Sequence, residues 1–342
     1  MFGSLAGRLE FLNKFIRWHS WSNTKLIFFI VSIGLVIIEK GGLKELTPGF
    51  GIVFWILLAF FVLYGSFASI LNDYWDKFVD LKAGKIRTSA NIKDYHIFLT
   101  SVLFFILSSI FWWFFGGFVL KIMFWWVIMF FLVVFYSSPP VRFKEKPFLD
   151  IVVGSLIQRT LPVLLVFSVL DYNKTEGYLF SVALFVLGLR AMLMHQIEDF
   201  SSDLSSGVKT LTTVKDVKFS QKLIKILYLP EVLLLLFFSF LVKNINMKIL
   251  FLVYLIFWIL VYLFSPHSRR FINIFSLNEF PLSDFYYVWL PMYIAVSVLL
   301  STGDYTMILL VLVLQKKHIV IFLKKITTLV KYQKNAIICS YF

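Results

Sequence analysis

The chain has 342 residues, of which 60% are hydrophobic, 19% aromatic and only 15% charged, with a mean hydropathy of +0.85. One globular core of this length cannot hide such an apolar excess. A soluble enzyme, a disordered chain and a disulfide scaffold are excluded, and an all-α polytopic membrane protein is left. The net charge of +14 is spread over short segments between apolar runs, so it reads as membrane orientation and not as a nucleic-acid surface. Cys339, the single cysteine, cannot form an internal disulfide.

Residues 1–25 set Phe11, Leu12, Phe15, Ile16 and Trp18 against Arg8, Lys14, Arg17 and Lys25, the pattern of an amphipathic interfacial segment. No cleavable signal sequence is evident. Nine apolar stretches of helix-spanning length follow, at about 26–42, 51–72, 95–115, 119–137, 149–170, 178–199, 222–242, 247–265 and 286–314. Backbone polar groups in lipid must bond internally, and the runs are continuous, so these are helices and not barrel strands.

Lysine and arginine counts orient the bundle. The segments 1–25, 73–94, 138–148, 200–222 and 266–285 carry eighteen, and the opposite connections carry six. The richer side is expected in the cytoplasm. The basic tail 315–342, with Lys316, Lys317, Lys324, Lys325, Lys331 and Lys334, conflicts with nine crossings, which would leave it outside.

An internal repeat carries acid. Residues 72–84 read NDYWDKFVDLKAG and residues 195–207 read HQIEDFSSDLSSG. At one offset of 123 residues, Asp76 matches Asp199, Asp80 matches Asp203, Leu81 matches Leu204 and Gly84 matches Gly207. Four spans separate the copies, so two related four-helix halves around a central cavity are expected. Asp73, Asp76 and Asp80 share one helical face, as do Asp199 and Asp203. With Glu198, the two blocks hold six of the chain's 19 acidic residues. Clustered carboxylates near a membrane boundary repel and lose hydration, so a cation should bind there. Oxygen-only donors suit a hard ion, and Mg²⁺ characteristically shares carboxylates with substrate phosphates.

Other polar residues fit an anionic phosphate. Pro139-Pro140 ends a helix and holds Arg142 and Lys144 near the boundary. Lys82, Lys85, Arg87 and Lys209 follow the acidic blocks. Arg159 and Arg190 fall inside apolar spans, where ionisable groups are costly and usually functional. His195 takes the repeat position of Asn72, and Gln196 that of Asp73.

NDxxDxxxD at 72–80, YSxPPxRxK at 136–144, and DxxxD at 199–203 followed by GxKTL at 207–211 resemble the UbiA superfamily of intramembrane prenyltransferases. The resemblance runs from about the first span through the ninth, a domain over residues 26–314. It implies nine helices around a central cavity and Mg²⁺-dependent transfer of an isoprenyl chain from an allylic diphosphate to a hydrophobic acceptor in the bilayer. Asn72, Asp73, Asp76 and Asp80 would hold one ion and Asp199 and Asp203 another, with Asp73, Asp76, Asp199 and Asp203 the catalytic set. Asn72, Arg142, Lys144, Arg190, His195 and Lys209 are the candidate substrate-binding residues. Two positions depart from common family patterns: Ala191 and His195 stand where many members have YxxxK, and Arg87 precedes Thr88 instead of proline. A cation transporter with paired acidic motifs is the alternative from another class. A transferase acting on another lipid diphosphate or a phosphoribosyl donor is the nearer one.

Overall fold

A computed structural model describes residues 5–41, 50–82, 84–116, 119–264 and 281–340 of the chain. Among these, every regular element is helical. Lys44, Arg269 and Arg270, which enter the orientation count, lie outside the described residues.

The first helix, α1 (Leu5–Phe15), stops before Arg17, whose left-handed φ of 55° turns the chain into α2 (Trp18–Glu39). The expected 1–25 segment is therefore two pieces. Phe15 of α1 packs with Ile70 and Ile97, whereas residues 18–25 already belong to the first crossing. Residues Ile27–Ile37 of α2 are buried all round, as an apolar helix at the centre of a bundle must be.

The remaining helices are α3 (Phe50–Lys82), α4 (Asp94–Gly116), α5 (Leu120–Ser137), α6 (Pro147–Val169), α7 (Thr175–Glu198), α8 (Phe200–Ser206), α9 (Leu211–Lys215), α10 (Val217–Leu241), α11 (Ile245–Phe264), α12 (Leu282–Thr302) and α13 (Thr306–Ser340). Among the described residues, eight helices are long and apolar enough to cross a membrane, and Asp94–Ile110 and Ile245–Leu260 are shorter apolar helices. At 33 residues, α3 is about 50 Å long against a hydrocarbon core of about 30 Å. It is therefore about three turns longer than one crossing needs, and Asn72 begins its last three turns.

Eight of the nine expected spans each coincide with one helix. The ninth, expected over 286–314, is two helices. Gly303 (φ 74°) caps α12, and the Asp304 carboxylate accepts the Thr306 N–H at 2.8 Å to start α13. The extra helix returns the basic C-terminal stretch to the motif-bearing end, where Lys325 pairs with Asp284 at 3.0 Å. It runs without a break through residues 314 and 315.

The repeat survives in the backbone. Gly84 (φ 70°) and Gly207 (φ 76°) are both left-handed. The Lys85 N–H bonds the Asp80 carbonyl at 2.8 Å, and the Val208 N–H bonds the Asp203 carbonyl at 2.9 Å. Each acidic block ends in the same glycine-capped turn.

Candidate active site

A cavity of about 540 Å³ opens within the bundle. One face of α3 lines it through Phe61, Gly65, Ala68 and Asn72. The next two turns of that face present Asp76 and Asp80. On α7 the cavity-lining face carries Ala191 and His195, and the same stripe leads to Asp199 and then Asp203. Part of the wall is apolar, with the Phe29 and Phe61 rings 4.3 Å apart, and part is polar, with Lys25, Gln158 and Arg159.

Each carboxylate of the first block meets a cation of the chain. Asp73, 3% exposed, accepts from Arg17 Nη1 at 3.1 Å. Asp80 accepts from Arg87 Nε at 3.1 Å. Asp76 meets both Arg142 (3.1 Å) and Lys144. The left-handed Arg142 (φ 42°) that follows the Pro139-Pro140 corner turns the chain so that both cations face α3. Lys144 and Ser137 also donate to the Asn72 side-chain oxygen, at 3.3 and 3.0 Å. Burial holds the Lys144 ammonium below the usual lysine range, against the pull of Asp76.

The second block is answered less fully. Lys85, one residue past the first block's glycine, reaches Asp199 Oδ2 at 3.1 Å and so ties the two blocks at one end of the bundle. His195 Nε2 lies 3.7 Å from the same oxygen, with its side chain 62% exposed. Asp203 has no cation at ion-pair distance among the described residues. Burial, and then the neighbouring Asp199 carboxylate, push its carboxyl up to about 6. No three acidic, histidine or cysteine side chains close into a ready cage among the described residues. A hard cation that completes its shell with phosphate oxygens needs only one or two carboxylates from each side, and the oxygen-only donors here fit that chemistry.

Asp150 joins the motifs from below. Its two oxygens accept from Tyr136 Oη and Gln196 Nε2, each at 2.6 Å. Gln196 Oε1 in turn accepts from the Thr212 N–H and hydroxyl, both at 3.2 Å. Tyr136 opens the proline motif, Gln196 lies in the second repeat copy, and Thr212 follows the Lys209-Thr210-Leu211 stretch.

Not every sequence candidate reaches the cavity. Arg190 is sealed between helices, with Nε 2.6 Å from Glu231 Oε2 and both side chains 0% exposed. It stacks on Tyr228 at 4.9 Å. A charge in lipid needs a partner, and Glu231 supplies it away from the cavity wall. Lys209 is exposed between α8 and α9. Asn72 and His195 line the cavity, and Arg142 and Lys144 pair with Asp76, one turn beyond Asn72.

Sequence reasoning missed Arg17 and Asp150 as site residues. Arg17 is 56 residues from its partner Asp73, and Asp150 shows only as an acid at the start of an apolar run. It also missed three π-helical turns, Ser22–Leu26, Leu156–Thr160 and Phe285–Trp289. Each puts residues on the cavity wall, and wider turns of this kind recur at functional sites.

The sequence pattern of the UbiA prenyltransferase family matches residues 27–276, well over half of the chain. The chain belongs to this family. Among solved structures it is similar to a UbiA homologue from Archaeoglobus fulgidus bound to GPP and Mg²⁺, with a TM-score of 0.55 and 16% identity over 91% of this chain and 99% of that one. The same homologue bound to DMAPP and Mg²⁺ gives a TM-score of 0.54 at 15% identity, over 91% and 98%. A structure described as a digeranylgeranylglyceryl phosphate synthase gives 0.50 at 18% identity, over 95% and 99%. At these identities the likeness carries the fold. No curated protein sequence matches the chain. The family supports prenyl transfer in a membrane as the coarse activity of this bundle.

Proposed function

We propose that the protein transfers an isoprenyl group from an allylic diphosphate to a hydrophobic acceptor, aromatic or lipid, inside the membrane. The observation that supports this reading is the grouping of Asp76 with Arg142 and Lys144 and of Asp199 with Lys85, one helical turn beyond Asn72 and His195, which line one cavity.

Asn72, Asp73, Asp76 and Asp80 on one side, and Asp199 and Asp203 on the other, would hold Mg²⁺, two ions in all. Bound there, Mg²⁺ neutralises charge on the diphosphate as it leaves. The relatives bound to GPP or DMAPP with Mg²⁺ support the donor class. Arg142 and Lys144, now on Asp76, would turn to the diphosphate oxygens, where guanidinium and ammonium donors stabilise the developing negative charge. As the allylic C–O bond breaks, the Phe29, Phe61 and Tyr64 wall keeps water from the carbon and houses the isoprenoid tail. The acceptor carbon or hydroxyl oxygen attacks the allylic carbon and loses its proton. His195, exposed at the mouth, would bind substrate there.

We place the motif end in the cytoplasm. The excess of basic residues supports it, and the return of α13 to that end removes the conflict that nine crossings create. Parallel acidic copies at one end of the bundle disfavour a transporter, whose sites lie near the bilayer midplane.

Purified protein, radiolabelled geranyl diphosphate and a membrane lipid extract test the reading. Mg²⁺-dependent pyrophosphate release with formation of a prenylated lipid, abolished by EDTA, is expected. Release that EDTA leaves intact overturns the metal assignment.

A further inference from the structure

We propose that Asp150 is a positioning residue for prenyl transfer: its buried carboxylate fixes the second acidic block against the first through a hydrogen-bond relay of Tyr136, Asp150, Gln196 and Thr212. The proposal rests on the prenyl-transfer reading above and adds a residue outside the acidic motifs that sets their geometry.

Asp150 is buried in the first turn of α6. No lysine or arginine reaches it at ion-pair distance among the described residues. A buried carboxylate without a cation is costly unless strong donors hold it. Asp150 has one donor on each oxygen: Tyr136 Oη on Oδ1 and Gln196 Nε2 on Oδ2, both at 2.6 Å. The Gln196 amide oxygen is turned to Thr212, whose N–H and hydroxyl each donate to it at 3.2 Å. The Thr212 hydroxyl lies 2.8 Å from that of Ser220 in α10. Gln196, Thr212 and Ser220 are all buried, so the relay is shielded from water.

The relay explains a residue choice. Gln196 stands at the repeat position of Asp73, where the first copy uses a carboxylate to meet Arg17. At position 196 an ionised carboxylate would face that of Asp150 and repel it. An amide offers a donor to Asp150 and an acceptor to Thr212. An ionised acid cannot offer both.

The relay spans the two halves of the site. Tyr136 precedes Ser137, which donates to Asn72, and the same proline corner brings Arg142 and Lys144 to Asp76. Gln196 lies one turn before Asp199. Asp150 thus joins the surroundings of both blocks by buried contacts, whereas the direct Lys85–Asp199 pair is about one-third exposed. The helices that carry the relay touch closely. A Cβ on Gly188 of α7 would collide with the Ser155 side chain of α6 and come within 3.0 Å of its Cα. Ser155 Oγ donates to the Phe185 carbonyl at 2.6 Å. The start of α6 is therefore held to α7 and the acidic block that follows it. Groups that orient metal ligands from outside commonly change metal affinity or activity by roughly 10–100-fold when removed.

The test moves the charge along the relay in the full-length protein in nanodiscs. Asp150→Asn or Gln196→Glu alone leaves mismatched partners. Together they restore the relay, because the new amide donates to the new carboxylate, which still accepts from Thr212. Two quantities are read below the melting temperature of every variant. One is the half-saturating Mg²⁺ concentration for pyrophosphate release. The other is Mn²⁺ binding in the presence of geranyl thiolodiphosphate, followed by electron paramagnetic resonance. Each single substitution should weaken metal binding by about tenfold or more, and the double variant should return to within about threefold of wild type. If charge alone mattered, a carboxylate one turn from Asp199 would tighten the metal, so tighter binding in Gln196→Glu overturns the proposal. So does Asp150→Asn with metal affinity and kcat within twofold of wild type, whatever its melting temperature, or a double variant no better than Asp150→Asn. Should Asp150→Asn fail to fold, Thr212→Val should weaken metal binding severalfold, and no change there overturns the proposal. A wild-type protein that releases no pyrophosphate with Mg²⁺ would instead defeat the underlying prenyl-transfer reading.

Discussion

The end of α3 and the junction of α7 with α8 carry the same carboxylate spacing and the same left-handed glycine turn. Yet Asp73, Asp76 and Asp80 each hold a basic side chain, whereas Lys85 answers only Asp199, and among the described residues Asp203 has no basic partner at ion-pair distance. The duplicated backbone thus fixes where two carboxylate groups stand, and later substitutions decide how strongly each calls for a cation. The first copy is balanced by Arg17, Arg87, Arg142 and Lys144. The second retains negative charge, and the lysine that partly offsets it comes from the first copy's loop.

The largest effect should come from removing a carboxylate from either copy. Asp73→Ala and Asp199→Ala are each expected to lower single-turnover pyrophosphate release by about 10³-fold, the scale of a lost charge-stabilising group at a reacting centre. Both proteins should remain in the membrane fraction. Loss in one copy alone would break the symmetry between them. Arg142→Ala should cost about 10²-fold in kcat/KM for the diphosphate, because Lys144 still faces Asp76. Lys85→Gln sharpens the contrast in the opposite sense. Its ion pair is about one-third exposed, so melting in detergent should change by less than about 1 kcal/mol. The half-saturating Mg²⁺ concentration should fall severalfold, because the competing ammonium is gone. The smallest effects belong to Gly84→Ala and Gly207→Ala, which force a Cβ into a left-handed turn at about 1 kcal/mol each. Thermal melting should give near-equal shifts, and a clear inequality would show that the two turns are not equivalent.

Much of this was legible in the residues alone. Continuous apolar runs marked eight helices because lipid admits little else. The 123-residue offset identified the paired blocks, and the proline corner marked Arg142 and Lys144 as cations held near the boundary; their pairing with Asp76 is seen only in the structure. Other features depend on contacts far apart in sequence. Arg17 reaches Asp73 only because its left-handed backbone folds α1 over the end of α3. The π turns that bring Lys25, Arg159 and Tyr287 to the cavity leave no mark in the period of the apolar pattern. The break at Gly303-Asp304 did carry a signal, a capping glycine followed by an acidic helix start, inside a run that reads as one span. Arg190 shows the converse: an arginine in an apolar helix suggested a substrate contact, but Glu231, 41 positions away, had claimed it.

Anomalous scattering from Mn²⁺ in a structure with a non-reactive geranyl thiolodiphosphate would test the metal-bridged diphosphate most directly. Ions should appear against Asp73 or Asp76 and against Asp199 or Asp203, with Arg142 and Lys144 moved onto the bridging phosphates. A diphosphate bound in the cavity without metal, or with either acidic block still turned to its own lysine and arginine partners, would contradict it.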